Sequence, residues 1–526
     1  MHFHRTLACL CLLASAFVAA GQSGLQDYRL ATQRFPALSL SNPALMDSFQ
    51  GRVAMAEAQF QKADGALISL SESPDGWQAG ATTESYFRIS PKIAFFGHTA
   101  WQYADGKNMG GQILRDPDFN PVNILESSLD SRGGKRREQY NLQGGMSCRL
   151  GRRWVAGVKV NYTSADQTKI KDPRFSCIWM DLDMQAGVSF QASERILLGA
   201  SLLFRNTLEQ VKGGIYGTTD RQYFIFTDKG NFLGSVAELA GDYNVVSVSS
   251  YRPMMNYFAG GALQMVVDNR FAGELWFQVR DGYYGRKSSN TATFFEFDGY
   301  RFGYNGVWAV PVGNNFHRLG VNASAELLNN RENRFRYVTP SGQNTVVEYL
   351  GQDPILKRST VDVSLDYAWH KGTGGYRPSL SLGIVLDGRW KAQTANLFPL
   401  TRTQRVGTFQ ADAYGQKTFP AGRLLLTLEL HALAGGGFGT PREDTVDPSA
   451  SSTSIKSYDD YLNRQYEYET AFRAGGELGV CLSLPLRGKC LLYLRLSDRY
   501  LNLLRAPSYL EGRGRNVALV ALGCSF

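Results

Sequence analysis

Apolar and polar residues alternate along most of this chain. Between residues 177 and 191, Ile178, Met180, Leu182, Met184, Ala186, Val188 and Phe190 fall on one face, while Trp179, Asp181, Asp183, Gln185, Ser189 and Gln191 fall on the other. A period of two marks a strand with unlike faces. Its length narrows the reading: strands commonly run about five or six residues, whereas one tilted through a bilayer needs roughly 9–11. The stretch 138–150 repeats the pattern, with Tyr140, Leu142, Met146, Cys148 and Leu150 opposite Gln139, Asn141, Gln143, Ser147 and Arg149. In 154–163 the apolar row Trp154, Ala156, Val158, Val160 and Tyr162 carries an aromatic ring at each end, where the two interfaces of a membrane would hold them.

Similar segments recur over 51–62, 78–89, 92–104, 138–150, 154–165, 177–191, 196–209, 257–268, 271–281, 293–309, 316–328, 357–369, 376–388, 403–418, 423–435, 465–484, 490–502 and 513–526. Short turns near 90–91, 151–153, 192–195, 268–270, 311–315, 370–375, 419–422 and 485–489 alternate with longer polar segments at 105–137, 164–176, 210–255, 282–292, 329–356, 389–402, 436–464 and 503–512. This asymmetry predicts an all-β fold: a transmembrane antiparallel β-barrel of about 18 strands over residues 51–526, with short periplasmic turns and long extracellular loops. The strands alternate down and up without contradiction. The count is bracketed at roughly 16–20, because the first row (Ala54, Ala56, Ala58, Phe60) is weak and segments 221–227 and 243–250 would add a hairpin. Loop 329–356 either folds inward as a constriction or forms an outward hairpin.

The end of the chain carries a second signal. Cys524, Leu522, Val520 and Ala518 alternate back from Phe526. An apolar row running out to a terminal Phe resembles the closing strand of Gram-negative outer-membrane β-barrels. In those proteins the terminal aromatic strand is read by the barrel assembly machinery. The resemblance therefore implies that Phe526 is an assembly signal and that the protein resides in the cell outer membrane, in contact with its lipid and lipopolysaccharide. The start of the chain fits export: His2, His4 and Arg5 precede an apolar run from Leu7 to Ala20, with Val18 and Ala20 at the small-residue positions before a cleavage site. Residues 1–21 are expected to be a secretory signal peptide, too short to span a bilayer as a helix. Residues 22–50 show no strand pattern and are expected at the periplasmic mouth, or as a plug within the lumen. They include Asn42-Pro43-Ala44, which is similar to the Asn-Pro-Ala entry of the long-chain fatty-acid transporter family, where the preceding segment plugs the barrel.

Composition agrees with a barrel wall. The 55 Gly, 26 Tyr and 30 Phe suit turns and interfacial girdles. A net charge of +9 is mild for this length and reads as mixed-sign solvated loops. Lys135-Arg136-Arg137 reads the same way, with lipopolysaccharide phosphates as the alternative contact. After the signal, Cys148, Cys177, Cys481, Cys490 and Cys524 are odd in number and without close spacing, which is no disulfide framework. CxxC and HExxH are absent, so the usual zinc signatures are missing, and no metal or cofactor is expected. No nucleic-acid motif accompanies the basic residues.

The lumen face carries charge of both signs. Its candidates are Asp181, Asp183, Glu326, Asp362, Asp366, Glu429, Glu477, Arg149, Lys159, Arg473, Arg495, Arg499 and His431, with Glu467 and Glu469 counted on the same face. Opposed charged walls set selectivity in a diffusive pore; the same residues would otherwise pair across strands. A barrel this wide is not closed by its own wall side chains, so it holds water, a plug or an inserted loop. His98 is expected to face the lumen, and His317 and His370 to be solvated at short turns. Glu429 and His431, two positions apart, read as a lumen hydrogen-bond pair rather than an acid–base pair. No serine nucleophile motif accompanies them, so the reading is not an enzyme. The function expected is passage of a small solute across the outer membrane, porin- or transporter-like. The alternative is a non-transporting anchor or subunit that binds a protein partner in a secretion, assembly or surface complex, with a barrel enzyme third.

Overall fold

The computed structural model describes residues 28–526 except 219, 240–245, 247–250, 343, 374–376, 450–453 and 487–489. The expected signal peptide and most of segment 243–250 lie outside the described residues.

Eighteen antiparallel strands form one ring. In chain order they are β1 (Val53–Asp64), β2 (Asp75–Ser90), β3 (Ile93–Met109), β4 (Gly133–Arg149), β5 (Trp154–Lys169), β6 (Arg174–Gln191), β7 (Ile196–Gly214), β8 (Pro253–Val267), β9 (Phe271–Gly285), β10 (Thr293–Val312), β11 (Asn315–Val338), β12 (Val346–Lys371), β13 (Leu380–Leu397), β14 (Leu400–Ala421), β15 (Leu424–Val446), β16 (Arg473–Pro485), β17 (Leu491–Leu503) and β18 (Gly514–Ser525). Each pairs with its neighbours in sequence. The ring closes where β1 meets β18, from Met55 opposite Ser525 to Asp64 opposite Asn516. Phe526 extends that seam: its N–H donates to Ala54 O at 3.0 Å, and Ala54 N–H donates to Phe526 O at 2.8 Å. Within the ring, closure pairs both edges of every strand, and the hairpin beyond Glu332 and before Leu356 stands clear of its outer neighbours.

The apolar rows point outward. Leu202 is 72 % exposed and Leu263 68 %, while their neighbours Ser201 and Gln264 are buried. That inverts a soluble protein and suits a wall whose outside meets lipid. Aromatic pairs band the exterior at two levels, Phe60–Trp77 and Trp77–Tyr103 near the long-loop end, Trp154–Phe190 and Phe271–Trp308 near the short-turn end. No described helix is long and apolar enough to cross a membrane. This is an outer-membrane type of barrel, and its short-turn end is the periplasmic one.

Several expected loops are strand. The wall continues through 164–169 and 389–397, and 329–356 becomes an outward hairpin of strands 24 and 26 residues long. These extensions carry no sustained apolar row on one face, so a period-two test misses them. In water their ladders are supported by cross-strand pairs such as Arg336 with Glu348 at 2.8 Å. Segment 465–484 is also corrected. Asp459–Thr470 is a helix, and the wall resumes only at Arg473. Asp459 and Asp460 in its first turn favour that helix start, and Glu467 and Glu469 therefore lie on the helix, not on a wall strand.

Two inserts occupy the lumen. At the periplasmic end lie α1 (Tyr28–Gln33) and two 3-10 turns, Pro36–Ser39 and Pro43–Ser48. At the extracellular end a lid combines a four-stranded sheet (Lys456–Ser457, Leu233–Glu238, Phe224–Gly230, Asn123–Glu126) with α2 (Asp459–Thr470). The lid's Ile113, Leu114, Val122, Ile124, Ile225 and Leu233 share an apolar core with Cys177, Val211, Met254, Tyr284, Phe297 and Leu356 of the inner wall.

Candidate functional site

The inserts leave a polar chamber of about 780 Å³ between them. Ser41 of the N-terminal segment borders it on one side; Tyr468 and Glu469 of α2 and Arg473 border it on the other. Between them stand Asp183, Arg205, Glu274, Arg301, Asp362 and Arg389 of the wall.

Asn42 and Pro43 seat the N-terminal segment. The Asn42 side chain caps the second 3-10 turn by accepting from Ala44 N at 2.9 Å, and Pro43 occupies the first position of that turn. The amide of Asn42 also donates to Gln264 Oε1 at 2.9 Å and to Val188 O at 3.0 Å. Gly187 and Gly157 make room for this, since a Cβ on Gly187 would collide with Asn42 and one on Gly157 with Pro43 and Ala44. Glu274 accepts from Ser41 N at 3.0 Å, Ser41 Oγ at 2.5 Å and Asn305 Nδ2 at 2.9 Å. Asp47 binds Arg88 at 2.9 Å and Arg149 at 2.7 Å. Ala37, Leu40 and Leu45 pack on Val266 and Ala272. No strand of the wall pairs with this segment.

The lid is held more heavily. Lys169 and Glu126 form a buried ion pair at 2.5 Å. Arg280, fully buried, donates to Phe119 O at 2.9 Å and pairs with Glu326 at 2.6 Å. Glu209 accepts from Arg115 N at 2.6 Å and Asn120 Nδ2 at 2.9 Å. Arg402 joins Asp444 at 2.7 Å to Asp459 at 3.1 Å.

Of the residues marked in the sequence, Asp183, Asp362, Glu469 and Arg473 line the chamber. Asp181 stands behind Arg205, which binds it through two nitrogens at 2.9 and 2.8 Å. Arg149 holds the N-terminal segment and Glu326 braces the lid. The Lys159 ammonium lies 5.8 Å from the Phe96 ring centre, and Asp366 pairs with Arg318. Glu429, Arg495, Glu477 and Arg499 form a separate chain, with contacts at 3.0, 3.8 and 2.7 Å. The expected Glu429–His431 pair is not formed: Glu429 binds Arg495 and His431 binds Asp412 at 3.0 Å. Long side chains reach past the nearest position: Arg495 lies two strands from Glu429, and Asp412 is the diagonal neighbour of His431 on the adjacent strand. His370 is buried, not solvated, with Nδ1 2.8 Å from Ser381 Oγ, because it still belongs to the wall strand, opposite Phe316 and Ser381. Lys135 is likewise buried, so Lys135-Arg136-Arg137 is not a solvated face. Sequence reasoning passed over Arg205, Glu274, Arg301 and Arg389. The same alternation that exposes Leu202, Leu275, Tyr300 and Trp390 puts these four on the inner face and would have found them.

The family model described as "Family of unknown function (DUF6850)" matches residues 43–526. The chain belongs to that family. No curated protein matches the sequence. Among solved structures, the ferric preacinetobactin receptor BauA of Acinetobacter baumannii is 8 % identical, with a TM-score of 0.35, over 89 % of this chain and 80 % of its own. The outer membrane transporter YddB of Escherichia coli is 8 % identical, with a TM-score of 0.36, over the same shares. The unliganded ferric citrate transporter FecA gives 8 % and 0.35, over 89 % and 78 %. Scores this low match no residue of one chain to a residue of the other and transfer no function.

Proposed function

We propose that this chain is an outer-membrane transport barrel, which opens by release of its N-terminal segment and passes a small polar solute through the central chamber. The observation that carries this reading is the unequal hold on the two inserts. Moving the lid would break the buried Lys169–Glu126 pair and the bond from Arg280 to Phe119 O, and expose a shared apolar core. The N-terminal segment has no ladder with the wall. It rests on one small apolar cluster, on Tyr28 and Phe49 packed against Tyr86, on polar contacts of Arg34, Ser41 and Asn42, and on the Arg29–Glu57 and Asp47 ion pairs. Behind it, Asp183, Asp362, Arg301 and Arg389 offer both signs of charge to a hydrated solute. Export through residues 1–21 and assembly through Phe526 belong to the same proposal.

The test is conductance in planar bilayers, with uptake of small solutes, for the full chain and for a variant lacking residues 28–49 behind an intact signal. The full chain should be nearly silent and the deletion should conduct. If the deletion variant assembles, with normal heat-modifiable migration, and stays as silent as the parent, the transport reading fails. The barrel would then serve as an anchor or complex subunit.

A further inference from the structure

We infer that a second site, built to hold the phosphate group of a small soluble molecule, lies under the lid against the inner wall, apart from the central chamber. A cavity of about 350 Å³ there is lined by Arg115 of the lid, Lys135 and Arg137 of β4, and Arg515 of β18. The dyad phase of β4 sets this up. Tyr140 and Leu142 face outward, so Lys135 and Arg137 face inward and Arg136 between them faces out.

None of these four cations forms an ion pair among the described residues; the acidic groups that act on Lys135 and Arg115, such as Glu126 and Glu209, lie outside the cavity lining. Lys135 Nζ donates to Gln112 O at 2.6 Å. Arg515 Nη1 donates to Ser73 O at 2.6 Å and Gly65 O at 3.1 Å. Arg115 Nη2 donates to Gln139 Oε1 at 2.6 Å, its guanidinium lies 3.9 Å from the Trp179 ring centre, and its buried Nε has no partner. All those acceptors are neutral. Two carboxylates border the cavity. Asp105 is taken by Arg136 at 2.9 Å, and Glu72 accepts from Ser69 N at 2.8 Å. That leaves four cations against one carboxylate. Other lumen cations meet a carboxylate directly, as in Asp181–Arg205, Glu326–Arg280 and Glu477–Arg499.

Like charges held together away from bulk water repel, and a multiply charged oxyanion relieves that repulsion. Guanidinium forks suit tetrahedral oxyanions because two parallel N–H groups meet two oxygens. The volume lies at the small end of ligand pockets, about 300–1,000 Å³, enough for a phosphate carrying a sugar-sized body. Lipopolysaccharide offers the same chemistry, but its phosphates lie outside the barrel, on the face that Arg136 presents.

The test is isothermal titration of the detergent-purified full chain with inorganic phosphate, glucose 6-phosphate, glucose and lipopolysaccharide. The two phosphates should bind and glucose should not. Arg137→Gln should weaken phosphate binding by about tenfold or more, and Arg137→Lys should restore part of it. Arg115→Gln, outside the wall, gives the same reading should the β4 variant fail to assemble. Absence of phosphate binding, or equal binding by parent, Arg137→Gln and Arg115→Gln, would overturn the inference. Binding of lipopolysaccharide alone would overturn it as well. Because the readout is binding, it stands or falls separately from the conductance test.

Discussion

Leu45→Ala is the most direct probe of the N-terminal segment. Leu45 is 1 % exposed and packs with Ala37, Leu40, Val266 and Ala272. Cutting a buried Leu to Ala costs about 2–5 kcal/mol, counting the cavity left behind. Here the loss falls on the contact between segment and wall. The wall itself is held by ladders that Leu45 does not enter. A loss of that size shifts the ratio of docked to released segment by about 30- to 4,000-fold. The remaining ties are a few hydrogen bonds at about 1 kcal/mol each, the packing of Tyr28 and Phe49 on Tyr86, and the Arg29–Glu57, Arg149–Asp47 and Arg88–Asp47 pairs. The assay is limited proteolysis of residues 28–49 in proteoliposomes, read beside bilayer conductance. Leu45→Ala should be cut at markedly lower protease concentration and should show open events that the parent lacks, while Leu45→Met, close in volume, should behave as the parent. If Leu45→Ala matches the parent in both readouts while deletion of 28–49 conducts, the apolar cluster does not hold the segment and the reasoning is refuted.

Glu126→Gln, which breaks the buried pair with Lys169, should loosen the lid by about 3–5 kcal/mol and speed hydrogen exchange over 224–239; unchanged exchange would count against the lid being anchored there. Burial pushes the Asp228 carboxyl of the lid up to about 7, against the pull of Lys391 and Arg402. A carboxyl raised on folding is protonated in the folded lid when its unfolded form has already ionised, so its contribution falls as pH rises from about 4 to about 7. Lid protection should decline over that window, and Asp228→Asn should flatten the decline; the same slope in both proteins would contradict this. Arg205→Gln removes a cation from the chamber and should make the open deletion variant more cation-selective by reversal potential. Deleting Phe526 removes both hydrogen bonds to Ala54 and should lower the abundance of heat-modifiable barrel in outer membranes; normal abundance would count against the assembly role.

The wall was legible because its rule is local. Each spanning strand must show one face to lipid, so Ile178, Met184 and Val188, or Leu202 and Phe204, declare strand, phase and direction without reference to any partner. Eighteen strands follow from repeating that rule with consistent parity. It fails where lipid ends. The polar extensions at 329–338 and 389–397 carry no apolar row, and α2 is fixed by the lid against which Tyr461 and Leu462 pack. Partner choice was also out of reach. Phase puts Glu429 and His431 on the lumen side, but strand stagger decides that one meets Arg495 and the other Asp412. What fills the lumen is a tertiary matter altogether. The segment at 28–49 has no period to read, and the lid shows only a strand signal near 221–227 without its place in the lumen, because each buries its side chains against a curved wall built from strands far away in sequence. Sequence determined the barrel, since every strand answers to one solvent boundary; only the folded chain decided the two inserts, the chamber and the unpaired basic pocket, since those depend on which distant strands the ring brings together.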